Sequence, residues 1–198
     1  MLKVGITGGI GSGKTTICRI FELLGIPVFY ADTVAKAVME EDEILIDEVK
    51  SAFGAEAYTE IGKLNRKYLA SKVFSSKSEL EKLNSIVHPA VFRAFDNWAV
   101  KQTDSPYILK EAALLYESSS YLDCNYTILV KSPMELRIKR VVQRDNITEE
   151  EVRQRIEKQW PDEKKQQLAS FILNNDEKQF LIPEVLSLHN RFLEESIQ

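Results

Sequence analysis

Cysteine is scarce in this sequence, which has only Cys18 and Cys124 among its 198 residues. One lies inside a predicted helix and the other just before a predicted strand, so they indicate neither a metal site nor a redox pair but reduced, partly buried thiols. The sequence also lacks an apolar run long enough to span a bilayer. No signal peptide is visible, because Met1 leads directly into a predicted strand. We therefore expect a cytoplasmic protein with no membrane partner.

An excess of basic residues is absent as well. The net charge is −4 and the pI is about 5.4, whereas broad nucleic-acid binding needs a basic surface. The proportions of hydrophobic residues (44%) and charged residues (28%) are typical of a soluble globular protein. A chain of this length can bury one core and a small second lobe. Composition therefore disfavours a nucleic-acid partner.

Residues 8–15 read GGIGSGKT, which is a complete phosphate-binding motif, G-x-x-x-x-G-K-[ST]. The motif lies between a predicted strand at 2–7 and a predicted helix at 14–24, which is the strand–loop–helix context that a phosphate-binding loop requires. Backbone N–H groups and the helix N-terminus face a phosphate in such a loop, Lys14 reaches the β- and γ-phosphates, and the Thr15 hydroxyl ligates Mg²⁺. The residues expected to contact a nucleoside triphosphate here are Gly11, Ser12, Gly13, Lys14, Thr15 and Thr16.

Short apolar segments alternate with helical patterns along the chain. The predicted strands are residues 2–7, 26–30, 107–111, 126–130 and 169–173. Such alternation is typical of a parallel sheet covered by helices on both faces. The sequence therefore predicts an α/β fold of the P-loop NTPase type, with a five-stranded parallel sheet flanked by helices.

The connection between the second and third strands is unusually long. It spans roughly 75 residues, whereas a plain crossover needs about a dozen. Helical patterns cover 33–53, 64–74, 78–88 and 90–100, with a break expected at Pro89. We predict a helical subdomain at 33–104, inserted into a kinase core made of 1–32 and 105–198. Its expected role is to hold an acceptor substrate, because ligands of open α/β sheets bind beyond the carboxyl ends of the strands.

A smaller insertion follows the fourth strand at about 132–160. Ser132 as cap, Pro133 at the first position and Glu135 in a capping box predict a helix at 133–144. Thr148 begins a second capping box, for a helix at 149–159. These two helices form a candidate lid.

Three arginines of the lid, Arg137, Arg140 and Arg144, are spaced i, i+3 and i+7 and so share one helix face. Guanidinium groups match the charge of a transferring phosphoryl group. We predict that Arg140 and Arg144 act on the nucleotide. The alternative is a solvated stripe that suits a helix C-terminus, and for Arg137 both interpretations stay open.

Several classes of protein share this loop. A GTPase switch is disfavoured because D-x-x-G and N-K-x-D are absent. A motor ATPase is disfavoured by the chain length and by the polar Lys110 beside the strand-ending Glu111. A small-molecule kinase needs the loop, an acceptor pocket and a cationic lid, and each has candidates here. A nucleotide-gated binding module is the alternative outside the enzymes.

Asp32 is the candidate for the acceptor side of the reaction, because it follows the second strand directly. A carboxylate at this position could accept the proton of an attacking hydroxyl. Its alternative role is to cap a helix that starts at Thr33. Glu111 could hold Mg²⁺ through water, or simply end its strand.

Taken together, these segments resemble the dephospho-coenzyme A kinase family over nearly the whole chain. Residues 4–15 (VGITGGIGSGKT) are similar to the start of that family, and RVVQR at 140–144 is similar to its lid. LNR at 64–66 through Val73-Phe74, with IVHPAV at 86–91, is similar to its acceptor-domain signature. LLYE at 114–117 matches the stretch after the third strand, and Asn175 matches an asparagine after the last strand. The chain departs from the family at Arg137, where glutamine is common.

This resemblance implies transfer of the ATP γ-phosphate to the ribose 3′-hydroxyl of dephospho-coenzyme A, with Mg²⁺, to give coenzyme A and ADP. The catalytic residues would be Asp32, Lys14 and Arg140. The nucleotide would also contact Arg144 and Asn175, and the acceptor substrate would contact Asp32, Arg66, His88 and Glu111. His88 could instead be a helix-ending residue before Pro89. Another P-loop small-molecule kinase, such as a nucleoside monophosphate kinase, is the alternative enzyme.

Overall fold

The computed structural model describes residues 1–73 and 76–197. They form two compact units. The sheet unit contains residues 1–30 and 102–197, and the helical unit contains residues 31–101 with the gap at 74–75. The helical unit is inserted after the second strand of the sheet unit. The acceptor-binding role predicted for residues 33–104 stays a prediction.

The sheet unit is built on an all-parallel sheet, as predicted. Its strands are β1 (Leu2–Thr7), β2 (Val28–Tyr30), β3 (Tyr107–Glu111), β4 (Tyr126–Lys131) and β5 (Phe171–Asn174). Their spatial order is β2-β3-β1-β4-β5. The register places Ile6 of β1 beside Glu111 of β3 and Ile128 of β4, so the carboxyl ends of the three central strands meet at one edge.

The helices of the described residues follow in chain order. They are α1 (Lys14–Leu23), α2 (Ala31–Glu41), α3 (Glu43–Phe53), α4 (Arg66–Val73), α5 (Lys77–Ala99), α6 (Met134–Asp145), α7 (Glu149–Glu157), α8 (Asp162–Gln166) and α9 (Leu181–Ser196). Single 3₁₀ turns lie at Ala55–Ala57 and Ser120–Asp123. The core of the sheet unit includes Ile6, Phe21, Tyr107, Val130 and Phe192. These side chains bury α1 and α9 against the strands, which fixes the start of α1 next to the end of β1.

The helical unit differs from the sequence prediction in two places. The single helix predicted over 33–53 is wrong, because α2 ends at Glu41 and Asp42 caps α3 by accepting a hydrogen bond from Leu45 N at 2.9 Å. The break predicted at Pro89 is wrong too, because α5 continues through it. Burial of Val87, Ala90 and Val91 holds the helix together where proline removes one backbone hydrogen bond.

The two predicted caps of the lid have different outcomes. The Ser132 cap is wrong: α6 begins at Met134 after Pro133 and has no side-chain cap. The Thr148 capping box is confirmed, since Thr148 Oγ1 accepts from Glu151 N and the Glu151 side chain accepts from Thr148 N. The helical pattern predicted at 64–74 corresponds to α4, which begins at Arg66. Phe74, the last residue of that pattern, lies outside the described residues.

Candidate active site

The phosphate-binding motif folds as the loop between β1 and α1. Gly11 and Gly13 have φ values of 77° and 94°, a left-handed region that favours glycine. A Cβ at Gly11 would lie 2.5 Å from the Arg137 carbonyl oxygen, and a Cβ at Gly13 would collide with Asn175. The glycines therefore allow both the turn and the close approach of residues from the lid and from the end of β5.

Lys14 lies buried at the N-terminus of α1, and its Nζ points back into the loop. It donates to the carbonyl oxygens of Gly8 (3.0 Å) and Gly9 (3.4 Å) and lies 4.0 Å from Glu111 Oε1. The structure thus brings together two residues that the sequence analysis had named separately. A triphosphate would offer Lys14 charged oxygens in place of neutral carbonyls, so that both the donor and the acceptor of each hydrogen bond would be charged.

Arg140 connects the lid helix to the same loop. Its Nη1 donates to Gly11 O (3.4 Å) and to Ser132 Oγ (3.1 Å), and its Nη2 donates to Asn175 Oδ1 (3.3 Å). Asn175 in turn donates from Nδ2 to Ser12 O at 2.8 Å. Arg140 and Asn175, which lie 35 residues apart in the chain, therefore meet at the loop. Ser132, expected to be a helix cap, instead accepts from Arg140.

The predicted arginine face separates into three environments. Arg137 is buried against the loop, while Arg140 is partly exposed. The Arg144 side chain is 62% exposed and its Nε donates to its neighbour Asp145 at 2.7 Å. This hydrogen bond raises the pKa of Arg144. The structure does not bring Arg144 to the loop, and its predicted contact with the nucleotide stays a prediction.

Sequence reasoning missed Gln159, which follows α7. Its Oε1 accepts from Ile10 N at 2.8 Å and its Nε2 donates to Ala113 O at 3.3 Å. Gln159 thereby links the loop to the segment after β3. No motif identified it, because it lies 149 residues from Ile10 and a single glutamine carries no sequence pattern.

Asp32 is the second residue of α2 and is exposed. The alternative that it caps a helix starting at Thr33 is wrong, because α2 begins at Ala31. A carboxylate in the first turn is favoured by the helix dipole. Asp32 is therefore held on a regular element, with its side chain accessible.

Arg66 and His88 both belong to the helical unit. Arg66 begins α4, and its Nη2 lies 3.6 Å from Glu40 Oε1. A hydrogen bond from Lys63, helped by the charge of Arg66, lowers the pKa of Glu40.

His88 lies inside α5, so its interpretation as a helix-ending residue is wrong. It stacks on Phe92 with 6.3 Å between ring centroids, and burial lowers its pKa. The contact of Arg66 and His88 with an acceptor stays a prediction.

The residues present fit a nucleotide with its Mg²⁺. Ser12 Oγ is buried and has no hydrogen-bond partner within the described part of the chain. Thr15 and Thr16 are exposed in the first turn of α1. Residues 1–73 and 76–197 contain no group of three or more His, Cys, Asp or Glu that could hold a metal. Mg²⁺ at nucleotide sites takes only one or two protein oxygens besides phosphates and water. The Thr15 hydroxyl can supply one, and the Glu111 carboxylate can act through water.

A buried ion pair anchors the segment that carries Gln159. Lys165 is fully buried, and its Nζ lies 2.9 Å from Glu117 Oε1. The same oxygen accepts from Trp160 N at 2.9 Å. Glu117 lies in the LLYE stretch after β3, so these contacts tie α8 and the end of the lid segment to the body of the sheet unit.

We expect Lys165→Met to lower the free energy of unfolding by about 3–5 kcal/mol, because it leaves the Glu117 charge without its buried partner. Urea denaturation measures the change. Adding Glu117→Gln should restore part of the loss, since the unpaired charge is then gone. A loss below about 1 kcal/mol, the usual value of an exposed pair, would contradict this account.

The two cysteines lie in α1 and just before β4. Cys18 and Cys124 are free thiols, and burial raises the pKa of both, to about 11 for Cys124. In the described ranges, no helix combines the length and apolar character that crossing a membrane requires.

Comparison with known proteins gives a consistent result. A family model described as dephospho-CoA kinase matches residues 2–180. The dephospho-CoA kinase of Bacteroides fragilis is 38% identical over 187 residues, covering 94% of this chain and 91% of that protein. The Salinibacter ruber enzyme is 42% identical over 178 residues, covering 89% of each chain.

Solved structures show the same architecture. A Thermus thermophilus protein matches with a TM-score of 0.81 at 33% identity, over 98% of this chain and 97% of that one. Dephospho-CoA kinase from Campylobacter jejuni matches with a TM-score of 0.70 at 24% identity, over 98% of each chain. Shikimate kinase from Acinetobacter baumannii matches with a TM-score of 0.50 at 16% identity, over 100% of this chain and 96% of that one. It shares the fold alone. The family model and the curated relatives show that the chain belongs to the dephospho-CoA kinase family.

Proposed function

We propose that the loop at residues 8–15 presents the γ-phosphate of ATP to the ribose 3′-hydroxyl of dephospho-coenzyme A, the reaction that completes coenzyme A. The observation that carries this proposal is the convergence of Lys14, Arg140 and Asn175 on the loop. The family assignment names the acceptor, which the loop alone does not. The comparisons do not favour another small-molecule kinase.

Lys14 supplies the main charge on the terminal phosphates. On binding, its Nζ would exchange the Gly8 and Gly9 carbonyls for β- and γ-phosphate oxygens. Glu111, 4.0 Å away, offers Lys14 an opposite charge in the absence of nucleotide. Charge stabilisation of this kind acts most strongly where charge builds up in the transition state.

Arg140 acts from the lid side. Its guanidinium lies next to Gly11 and Asn175 and also forms a 3.0 Å ion pair with the exposed Glu177. That exposed pair contributes little by itself, so Arg140 can exchange Glu177 for phosphate oxygens. Arg144, exposed on the same helix, would join when the nucleotide is bound.

Asp32 is the proposed acceptor of the hydroxyl proton. The 3′-oxygen forms a bond to the γ-phosphorus as the bond to the β-phosphate oxygen breaks, and ADP leaves. The carboxylate of Asp32 orients the hydroxyl and takes its proton. Arg66 and His88 would hold the acceptor, through the charge of the first and the neutral ring of the second.

Mg²⁺ would be held by the Thr15 hydroxyl, with Glu111 acting through water. When bound, the ion neutralises charge on the β- and γ-phosphate oxygens. A cytoplasmic location and the lack of a nucleic-acid partner remain expectations from the sequence.

An acceptor panel tests the proposal. Purified protein is incubated with Mg-ATP and with dephospho-coenzyme A, nucleoside monophosphates or shikimate, and products are identified by mass. We expect phosphate to appear only on dephospho-coenzyme A. Transfer to another acceptor would support the alternative kinase. ATP binding without any transfer would support the binding module.

A further inference from the structure

Arg137 is a buried arginine on α6 for which the sequence offered two roles. It is 4% exposed, which excludes the solvated stripe. Its Nε donates to Ile10 O at 2.9 Å. A Cβ at Gly9 would collide with its guanidinium group. The side chain therefore packs directly on the first half of the phosphate loop.

The Arg137 charge faces Asp162, the first residue of α8. Arg137 Nη1 lies 3.3 Å from Asp162 Oδ2, and the Asp162 side chain is 15% exposed. Burial lowers the pKa of Arg137, and the Asp162 carboxylate opposes this shift. A well-packed apolar side chain would serve stability equally well at a buried position, so stability alone does not account for a charged group here.

Both polar groups of Ile10 are held by side chains from outside the loop. Arg137 binds the carbonyl, and Gln159 binds the N–H at 2.8 Å. Because a trans peptide is planar, a fixed Ile10 carbonyl makes the next N–H, that of Gly11, point the opposite way. The N–H groups of such loops are the donors that bind phosphate.

We propose that Arg137 is a positioning residue that aims the Gly11 N–H at the phosphate chain, with Asp162 holding the guanidinium in place. This inference rests on the proposed nucleotide site and concerns affinity for ATP rather than the acceptor. Arg137 touches neither the reacting atoms nor the acceptor in this role.

The test compares Arg137→Met, which keeps the length of the side chain but removes its charge and its hydrogen-bond donors, with wild type in direct ATP binding without acceptor and in steady-state kinetics. We expect the Kd and KM for ATP to rise about 10- to 100-fold, the range of a hydrogen bond to a charged group. The KM for dephospho-coenzyme A should not change. Lys139→Gln, at an exposed position of the same helix, is the matched control and should behave as wild type.

Asp162→Asn provides a second, milder variant in case Arg137→Met does not fold. It keeps the size of the side chain and should weaken ATP binding in the same direction, with a smaller effect. Unchanged ATP affinity in a folded Arg137→Met or Asp162→Asn variant would overturn the inference, whatever the change in melting temperature. Because binding is measured without acceptor, the result is independent of which acceptor the wild type phosphorylates.

Discussion

Asp32→Asn should lower kcat by about 10²–10⁴-fold, the range of a positioned acid–base group. Asparagine has nearly the same shape, stays in the first turn of α2 and cannot take a proton. ATP binding should be retained, because the contacts of the loop with Lys14, Arg140 and Asn175 do not involve Asp32. Initial rates at saturating ATP and dephospho-coenzyme A, with ATP binding measured separately, give the two quantities.

The control for Asp32 is Asp47→Asn, which removes an exposed carboxylate from α3. It should leave turnover at the wild-type level. That result would show that loss of one negative charge from the helical unit does not by itself lower kcat. Wild-type turnover in Asp32→Asn would remove this residue from the mechanism. A rise in KM for dephospho-coenzyme A at constant kcat would assign it to acceptor binding instead.

Lys14→Ala should reduce kcat/KM for ATP by at least about a hundredfold, since it removes a cation that stabilises charge in the transition state. The melting temperature should fall as well, because both residues of the 4.0 Å contact between Lys14 and Glu111 are buried and Lys14→Ala leaves the Glu111 charge without this cation. The rates are therefore expressed per amount of folded protein.

Two further variants test whether Lys14→Ala lowers activity through the lost charge or through a loss of folded protein. Lys139→Ala on α6 removes an exposed lysine and should have wild-type kinetics. Lys14→Arg keeps the charge but changes its geometry, so it should restore only part of the activity. If the activity of Lys14→Ala falls in proportion to a loss of folded protein, Lys14 is structural and its proposed role is wrong.

The parts of the fold that sequence predicted well depend on local patterns. The loop motif sets glycines, lysine and threonine at fixed spacing, and β1 and α1 flank it as required. Buried parallel strands appear as short apolar runs, so all the predicted strands were found within a few residues of their observed bounds. The Thr148 capping box is likewise confined to four neighbouring residues.

The errors lie where packing overrides a local signal or where a cap interrupts a continuous pattern. Pro89 was expected to break a helix, but buried neighbours in α5 hold it together. The pattern over 33–53 was continuous, yet Asp42 caps a new helix. Spacing placed Arg137, Arg140 and Arg144 on one face, but their exposures and contacts differ, which spacing on one helix does not specify.

By itself, the sequence determined the phosphate loop, the parallel sheet around it and the family, because each is encoded by residue types close together in the chain. Only the tertiary structure determined which distant side chains hold the loop. Arg137, Gln159 and Asn175 reach it through the register of β4 and β5 and the packing of α6 to α8. Contacts across more than a hundred residues depend on how strands and helices are stacked, and no spacing along the chain records that.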